Sequence, residues 1–379
     1  MLNILTDIVL YTVVPFLFAL TLVVFVHEFG HFIVARWCGV KVDAFSIGFG
    51  REIWGFHDKH GTRWRIAWIP LGGYVKFVDD DNAASVPTRE QIAKMTPEQR
   101  AGSFHAKSLP ARAAVVAAGP IFNFLFAILI FAAIFSIVGV QTTAPLVDKL
   151  VKGGAAEQAG LKQGDLIVGV DGTKITTFNE LKRLVSASAG RQMALSVKRG
   201  ERVITVQLTP QLKEIKDRFG NKIKLGLIGI ERTAKPQEWE LKRYDPLTAV
   251  WLGTKECYFV VERTLSYLGD VAMGRQSGDQ LSGPIGIATA TRDMAKLGMV
   301  ALLNMIGFLS VALGFANLLP IPILDGGHLV FYAYEGIRGR PLNERAQEIA
   351  FRIGFVILIC LMLIVTRFDV LRVWDRWTG

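Results

Sequence analysis

Two histidines and a glutamate lie within one apolar stretch, VVFVHEFGHF, at residues 23–32. Ionisable side chains are costly in such a stretch and usually face a cavity, a partner or a metal ion. His27 and His31 are four residues apart, so a helix places both imidazoles on one face, where they could bind one metal ion. Glu28 would then lie close enough to act on a metal-bound water, and the spacing therefore predicts a hydrolytic metal site.

A third ligand is needed, because hydrolytic zinc sites usually have three protein ligands and one open position for water. Asp325 is the candidate, in the stretch NLLPIPILDGGH at residues 317–328, at the end of a later apolar segment. Pro320 and Pro322 cannot continue a regular helix, and irregular backbone at membrane depth is tolerated only where it faces protein or water. A separation of Asp325 from the histidines beyond about 8 Å would exclude the site.

Interpretations of the same residues without a metal ion remain open. The two histidines could form hydrogen bonds to neighbouring helices, and Asp325 could cap a helix before a turn at Gly326 and Gly327. His328 is a less favoured alternative ligand, because the two glycines are expected to turn the chain between His328 and Asp325.

The apolar segments predict a membrane protein. Of the 379 residues, 51% are hydrophobic, and a helix of about 18–25 apolar residues can cross the hydrocarbon layer. The segments that qualify are 8–26, 113–140, 297–319 and 349–366. The last is interrupted by Arg352. We expect the first to be retained rather than cleaved, because the histidine motif follows it instead of a small-residue cleavage site.

The charge and cysteine content argue against two other classes. The net charge is +10. In a membrane protein such a charge usually reflects basic cytosolic loops and contact with anionic lipid, so we do not expect nucleic acid as a partner. The three cysteines are isolated from one another, which gives no sign of a disulfide framework.

The loop charges predict an orientation. Residues 36–112 carry more Lys and Arg than Asp and Glu, and Arg338, Arg340 and Arg345 follow the third apolar segment. Both regions should therefore be cytosolic, which places the termini and residues 141–296 on the far side. His27, His31 and Asp325 would then all lie toward the cytosolic side.

The middle of the chain predicts a small α+β module. Residues 165–172, DLIVGVDG, are typical of a strand that ends in an Asp-Gly turn. Thr177 and Glu180 have the spacing of a helix capping box, and residues 193–208 alternate as two strands. Asp245 and Pro246 then begin an amphipathic helix, which either lies at the membrane surface or packs on the module.

The stretch GGAAEQAGLKQGDLIVGVDG resembles the core signature of a PDZ domain. PDZ modules bind an extended peptide as an added strand, and LGLIGI resembles the peptide-carboxylate loop and strand of a circularly permuted form. The peptide groove would involve Leu225, Gly226, Leu227, Ile228, Gly229 and Ile230. The alternative is a lid that binds no peptide and only excludes bulky proteins.

Several motifs, taken together and in order, resemble one family. They are HEFGH, GPIFNFLFA, the PDZ signature, LSGPIGIA and NLLPIPILDGG. With them the chain resembles the site-2 protease family of intramembrane zinc metalloproteases, in the branch of the bacterial regulator-of-sigma-E proteases. The resemblance implies that His27, His31 and Asp325 bind one Zn²⁺ per chain and that Glu28 is the general base.

The resemblance also implies a substrate-binding region. The stretch RWRIAWIPLGGYVKF at residues 63–77 is similar to the family's membrane-associated β-hairpin, which is thought to pair with extended substrate. The residues implied in contact with substrate are Asn317, Pro320, Pro322, Gly72, Gly73, Tyr74 and Asn123. Enterobacterial relatives carry tandem PDZ modules, whereas this chain has room for one.

We therefore expect a polytopic α-helical membrane protein of about four transmembrane helices, with an inserted α+β PDZ domain and a membrane-associated β-hairpin. The predicted regions are an N-terminal membrane region at residues 1–143, the PDZ domain at 144–232, a linker with the interfacial helix at 233–296, and a C-terminal membrane region at 297–379.

The expected activity is cleavage of membrane-anchored regulators resembling anti-sigma factors, or of remnant signal peptides, in the bacterial inner membrane. The expected partners are single-span membrane proteins, the lipid bilayer and a peptide C-terminus at the PDZ domain. Two alternatives are a transporter or metal sensor that uses the same ligands, and a PDZ scaffold with a membrane anchor. Glu28 argues against the first, because such a site needs no general base.

Overall fold

The computed structural model describes residues 9–78, 95–216 and 222–378. The chain divides into two compact units. The helical unit comprises Met1–Ala132, Val250–Met273 and Leu281–Val373, and the α+β unit comprises Ala133–Ala249, Gly274–Gln280 and Trp374–Gly379. The four domain ranges drawn from the sequence stay predictions.

The N-terminal portion of the helical unit combines long helices with a β-hairpin. Its elements are α1 (Val14–Trp37), β1 (Val42–His57), β2 (Arg63–Phe77), α2 (Pro97–Gly102) and α3 (Leu109–Ala133). A π-helical turn, Val9–Val13, precedes α1, and another, Ile134–Val138, follows α3.

The α+β unit is built from short elements. They are β3 (Val140–Thr142), β4 (Lys149–Leu150), α4 (Ala155–Gln158), β5 (Leu166–Val170), β6 (Thr173–Lys174), α5 (Phe178–Ala187), β7 (Met193–Arg199), β8 (Arg202–Leu208), β9 (Gln211–Lys216), β10 (Lys222–Leu227), β11 (Ile230–Glu231) and β12 (Glu240–Lys242). An antiparallel sheet has the strand order β6-β5-β7-β8, and β9 with β10, β4 with β11, and β3 with β12 form separate pairs.

The local signals in this unit produce the predicted structures. Asp171 and Gly172 both have positive φ, 46° and 78°, as the tight turn between β5 and β6 requires. Thr177 and Glu180 form a reciprocal capping box at the start of α5. Apolar side chains of the sheet and of α5 meet in one buried core, which includes Ile167, Leu181 and Leu195.

The remaining long elements of the described chain are helices. They are α6 (Pro246–Ala272), α7 (Pro284–Leu297), α8 (Met299–Leu318), α9 (Asp325–Arg338) and α10 (Glu344–Thr378). Asp245 caps α6 as predicted, since its Oδ1 accepts a hydrogen bond of 3.1 Å from the Thr248 backbone N–H.

Four helical segments of the described chain are long and apolar enough to cross a membrane: Val9–Trp37, Leu109–Val138, Met299–Leu318 and Glu344–Trp374. They include most of each predicted span. The last is longer than predicted, because it continues on both sides of the apolar core at 349–366 and includes Arg352 near its start.

Helix α1 packs directly against α3 and α8. Ala19 and Val23 share a buried apolar cluster with Leu302 and Ile306 of α8. At Gly30 a Cβ would lie 2.5 Å from the carbonyl oxygen of Ala118, so only glycine permits this approach of α1 to α3. The histidine-bearing half of α1 is therefore held between neighbouring helices.

The β1–β2 hairpin is fixed to α1 at its turn. Asp58 pairs with Arg36 and accepts further hydrogen bonds from Trp64 Nε1 at 3.1 Å and from the backbone N–H groups of His60 and Thr62. Partial burial opposes ionisation, but these donors lower the pKa of Asp58 to about 2. The carboxylate is thus strongly retained as an anion.

The expectation that Gly326 and Gly327 turn the chain directly after Asp325 is wrong. The third span ends at Leu318, and Asp325 is the first residue of a separate helix, α9. Gly326 and Gly327 lie inside the first turn of α9 and do not turn the chain. They are glycines because a Cβ at either position would clash with the carbonyl oxygens of the preceding segment 318–321.

The motif LSGPIGIA has a structural explanation. Gly283 and Gly286 at the start of α7 donate backbone hydrogen bonds of 3.2 and 2.8 Å to the buried carboxylate of Asp369 in α10. A Cβ at Gly283 or Gly286 would lie 2.8 or 2.6 Å from a carboxylate oxygen. The two glycines therefore leave room for a carboxylate that joins α7 to α10.

Candidate metal centre

Three donor atoms from two distant segments of the chain converge at one point. The Nε2 atoms of His27 and His31 lie 3.2 Å apart. Asp325 Oδ2 lies 3.2 Å from Nε2 of His27 and 3.5 Å from Nε2 of His31. These separations are far below the 8 Å limit set from the sequence, so the structure brings the three predicted ligands together.

The spacing of these atoms suits a tetrahedral metal ion. Ligand atoms at about 2.0–2.2 Å from a tetrahedral Zn²⁺ lie about 3.3–3.6 Å from one another, close to the three observed separations. Asp325 Oδ2 is buried and accepts no well-formed hydrogen bond among the described residues. A buried carboxylate oxygen without a donor is costly unless a cation neutralises it. The residues present therefore fit a zinc ion.

Two elements position the imidazoles. The register of α1 directs both rings to one side, and Nδ1 of His31 lies 2.9 Å from the carbonyl oxygen of Val115 in α3. A carbonyl oxygen can only accept a hydrogen bond, so this Nδ1 carries the proton and Nε2 presents its lone pair to the centre. At Gly119 a Cβ would clash with His31 and would lie 2.8 Å from the His27 ring, so glycine is required there.

Glu28 approaches the same centre from the hairpin side. The backbone N–H of Val75 in β2 donates a hydrogen bond to its carboxylate. A Cβ at Gly73 would lie 3.3 Å from Glu28 Cγ, so β2 runs directly alongside this side chain. The hairpin therefore fixes the orientation of Glu28.

A cavity of about 310 Å³ opens beside the centre and is lined by Glu28, His31 and Asp325. Arg112 and Glu335 also line it and pair at 2.7 Å, and Tyr332 lies under the Arg112 guanidinium. Burial raises the pKa of Tyr332 to about 12, so its hydroxyl stays protonated. The cavity therefore gives access to Glu28 and to two of the three converging residues, His31 and Asp325.

His328 also lines the cavity but does not belong to the converging set. It lies on α9 three residues after Asp325, on the same helical face, and its ring packs at 5.4 Å from that of Phe351. Burial lowers the pKa of His328 and favours the neutral imidazole.

Asn123 does not lie where a substrate contact is expected. Its side chain is fully buried, and its amide lies 3.2 Å from Nδ1 of His27 on the side of the ring away from the centre. A substrate in the cavity cannot touch a side chain that has no exposed surface. The predicted substrate-binding role of Asn123 is therefore corrected to a contact with His27.

Three other residues implied in substrate contact lie at the end of α8 and in the segment between α8 and α9. Asn317 is half-buried and donates to the carbonyl oxygen of Leu313 in its own helix at 3.1 Å. Pro320 is exposed in the segment between α8 and α9, whereas Pro322 packs on Gly354 of α10.

The glycine-containing segment of β2 lies between Glu28 and the rest of the hairpin. Gly72 has a positive φ of 121°, and Gly73 pairs with Ile47 of β1. Tyr74 stacks on Phe49, and Arg65 lies over its ring. Val75 and Phe77 of the same strand line the cavity.

The six residues of the predicted peptide groove lie in the α+β unit, across β10 and β11. The carbonyl groups of Ile228 and Gly229 accept hydrogen bonds from Ala156 and Val151. A Cβ at Gly226 would lie 2.5 Å from the carbonyl oxygen of Val185. The strand therefore lies directly against the end of α5.

The sequence around this centre matches a known peptidase family. A model of peptidase family M50 matches residues 15–361. This chain belongs to peptidase family M50. The match extends from the start of α1 to the middle of α10 and therefore includes the whole centre.

Relatives with metalloprotease names extend over almost the whole chain. A protein of Agrobacterium fabrum with a provisional zinc-metalloprotease name is 46% identical over 94% of this chain and 95% of its own length. The metalloprotease MmpA of Caulobacter vibrioides is 38% identical over 95% of this chain and 96% of its own. The regulator of sigma-E protease RseP of Escherichia coli is 34% identical over 93% and 97%.

The M50 assignment confirms the resemblance to site-2 proteases. This M50 peptidase is a zinc-dependent metalloprotease, and the four long apolar helices of the described residues fit a membrane protein of the family. The sequence motif alone missed Val115 and Gly119, which hold the rings in place. The glycine in GPIFN was a signal for the second, because a glycine inside a helical segment often has a packing or functional reason.

Proposed function

We propose that this M50 peptidase cleaves a peptide bond within or near a transmembrane segment of single-span membrane proteins. The supporting observation is the convergence of His27, His31 and Asp325 in the described chain, beside a cavity that Glu28, His31 and Asp325 line. His27, Glu28 and His31 lie on one of the long apolar helices. Ionisable groups persist at such a depth when they serve a site.

The ligand roles follow from the donor set. His27, His31 and Asp325 would hold one zinc ion, two through neutral imidazole nitrogens and one through a carboxylate oxygen. When bound, zinc supplies a Lewis acid that polarises the scissile carbonyl and lowers the pKa of water. Ligand type alone does not restrict the site to zinc, but the relatives carry zinc-metalloprotease names.

Glu28 is the proposed general base. It takes a proton from the attacking water as the water oxygen bonds to the carbonyl carbon, and it then passes that proton to the leaving nitrogen as the C–N bond breaks. The hydrogen bond from the Val75 backbone holds the carboxylate in place for both transfers.

The hairpin is the proposed receiving surface. A helical substrate has its carbonyl groups bonded internally, so it must unwind before a carbonyl can reach the centre. The segment Gly72, Gly73 and Tyr74 of β2 runs beside Glu28 and could pair with the unwound segment. Asn317, Pro320 and Pro322 would border the same region.

We place this activity in the inner membrane of a bacterium, with the centre toward the cytosol and the α+β unit on the far side, from the positive-inside pattern. The proposed substrates are membrane-anchored regulators resembling anti-sigma factors, and remnant signal peptides. The α+β unit would act as a PDZ domain that binds a peptide C-terminus or excludes bulky substrates.

The deciding experiment uses the full-length protein in liposomes with a single-span model substrate. Glu28→Gln should lower cleavage by about 10²–10⁴-fold, because it removes proton transfer, while zinc content measured by mass spectrometry stays at the wild-type value. Glu348→Gln, an exposed carboxylate paired with Arg352, is the matched control and should cleave normally.

Undiminished cleavage by Glu28→Gln would contradict the proposed mechanism. Zinc binding without any cleavage by the wild type, across several membrane substrates, would favour a transporter or metal sensor instead. Removal of residues 144–232 should leave cleavage of the model substrate intact, whereas a PDZ scaffold would lose its function.

A further inference from the structure

The two histidines are supported in different ways on the side away from the centre. His31 Nδ1 faces the Val115 backbone carbonyl at 2.9 Å, which fixes its proton on Nδ1. His27 Nδ1 faces the side-chain amide of Asn123 at 3.2 Å. An amide can either donate or accept, so the tautomer of His27 depends on which end of the amide faces the ring.

The surroundings hold the Asn123 side chain against this ring. The Asn123 residue is fully buried in α3, and its backbone carbonyl accepts a hydrogen bond of 2.8 Å from Ser310 Oγ of α8. At Gly314 a Cβ would lie 3.2 Å from Asn123 Cβ. Because α8 packs this closely on α3, the amide has little room except toward His27.

The amide oxygen has no donor in the described chain. Asn123 Oδ1 is buried without a hydrogen-bond partner, while Nδ2 is the atom placed toward His27. The two ends of an amide have almost the same shape, so a half-turn exchanges them at little steric cost. With Oδ1 toward the ring, the oxygen gains a donor, Nδ1–H of His27, and Nε2 is left free of a proton.

We propose that Asn123 is a positioning residue for zinc, which accepts a hydrogen bond from Nδ1–H of His27 through Oδ1 and so directs the Nε2 lone pair to the centre. Both imidazoles would then present the same tautomer, one fixed by the main chain and one by a side chain. This inference rests on the proposed ligand roles of His27, His31 and Asp325.

The test measures zinc affinity of the full-length protein in detergent by competition with a chromophoric chelator. Asn123→Leu keeps the approximate size but cannot accept, and zinc affinity should fall by about 10–100-fold, as loss of an outer hydrogen bond to a metal-bound histidine typically does. Asn123→Asp can only accept, and it should hold zinc nearly as well as the wild type. Cobalt substitution should give a wild-type visible spectrum for Asp and an altered one for Leu.

Thr291→Val is the matched control. Thr291 is also fully buried in the helical unit, and its hydroxyl donates within its own helix, to the carbonyl oxygen of Ile287 at 2.8 Å. Its zinc affinity should equal that of the wild type. Circular dichroism of each variant after chelation shows whether the helices are intact.

Two results would overturn the inference. The first is a folded Asn123→Leu that binds zinc as tightly as the wild type. The second is a folded Asn123→Asp that loses zinc. That result would mean that His27 requires a hydrogen-bond donor at this position rather than an acceptor. If Asn123→Leu does not fold, the Asp variant decides the question alone. His27→Ala separates the two proposals, because zinc binding that survives it would contradict the ligand assignment itself.

Discussion

Two aspartates of the helical unit are both largely buried near a helix end, but their carboxylates differ in their hydrogen-bond donors. Asp325 begins α9 and Asp369 lies near the end of α10, and both are largely buried. Asp369 accepts backbone hydrogen bonds at both oxygens, from Gly283 and Gly286. Asp325 Oδ2 accepts none in the described chain and faces two imidazole nitrogens.

The difference separates a structural carboxylate from a ligand. A buried carboxylate whose oxygens both have donors stabilises the contact between its helices. A buried carboxylate left without donors, but beside two ring nitrogens, has the arrangement that a cation completes. Glycines make room at both sites, which shows that close backbone approach alone does not distinguish them.

The strongest contrast is expected from removing each carboxylate. Asp325→Ala removes a ligand and should weaken zinc binding by more than about 100-fold, since even outer contacts contribute 10–100-fold. Asp369→Ala should leave the zinc affinity of the folded protein unchanged. Chelator competition on both purified variants measures this. Equal zinc affinity in the two variants would remove the distinction.

Substitution of a glycine at each of the two sites should also have different effects. Gly119→Ala introduces a methyl group against His31 and should lower zinc affinity by at least about 10-fold, because a displaced ring can no longer complete the ligand set. Gly286→Ala places its methyl group 2.6 Å from an oxygen of Asp369 and should instead lower stability by about 1–3 kcal/mol. Zinc competition and denaturant unfolding in detergent distinguish the two effects.

Gly269→Ala in α6 is the control for both, since among the described residues only the flexible end of Met273 lies near that position. It should raise stability by up to about 1 kcal/mol, as alanine favours a helix over glycine. A destabilised control would mean that helix glycines in this protein act through something other than the contacts described.

Loss of Asp369 should have a moderate effect on stability alone. Asp369→Ala leaves the buried N–H groups of Gly283 and Gly286 without an acceptor and should lower the free energy of unfolding by about 1–3 kcal/mol. Denaturant unfolding of the zinc-loaded protein measures it. An unchanged midpoint would show that α7 and α10 are held together by apolar packing instead.

The smallest effect is expected at a third carboxylate, that of Asp58 in the hairpin turn, which has hydrogen-bond donors as Asp369 does. Its pKa is lowered to about 2 in the folded protein, below the usual value near 4. Its contribution is therefore fully present above about pH 4 and is lost as the pH falls toward 2, by about 1–2 kcal/mol at low salt. Asp58→Asn should flatten the pH dependence of hairpin protection in hydrogen exchange between these values. A profile unchanged from the wild type would contradict it.

The sequence predicted the metal ligands more accurately than it predicted the backbone conformation around them. The spacing of His27 and His31 determines a shared helical face, and four apolar segments specify long helices, because both follow from local periodicity. The turn at Gly326 and Gly327 was predicted wrongly. A glycine signals conformational freedom or close approach, and only the packing of α9 on the preceding segment shows which applies.

The role of Asn123 was misassigned for a similar reason. Its motif indicates a functional position, but burial and the direction of the side chain depend on how α3 packs against α1 and α8. The contact of Val75 with Glu28 was also beyond local reasoning, since it joins residues 47 positions apart through backbone atoms that carry no sequence signal.

The residue types and their spacing alone determined that this chain carries a zinc-type donor set with an adjacent base on apolar helices. Helical periodicity and hydropathy act over a few residues and are written directly in the sequence. Only the tertiary structure decided which buried carboxylate lacks donors, which partners fix each imidazole and which strand supports Glu28. Those outcomes depend on distances between segments up to almost 300 residues apart, and packing rather than local propensity sets them.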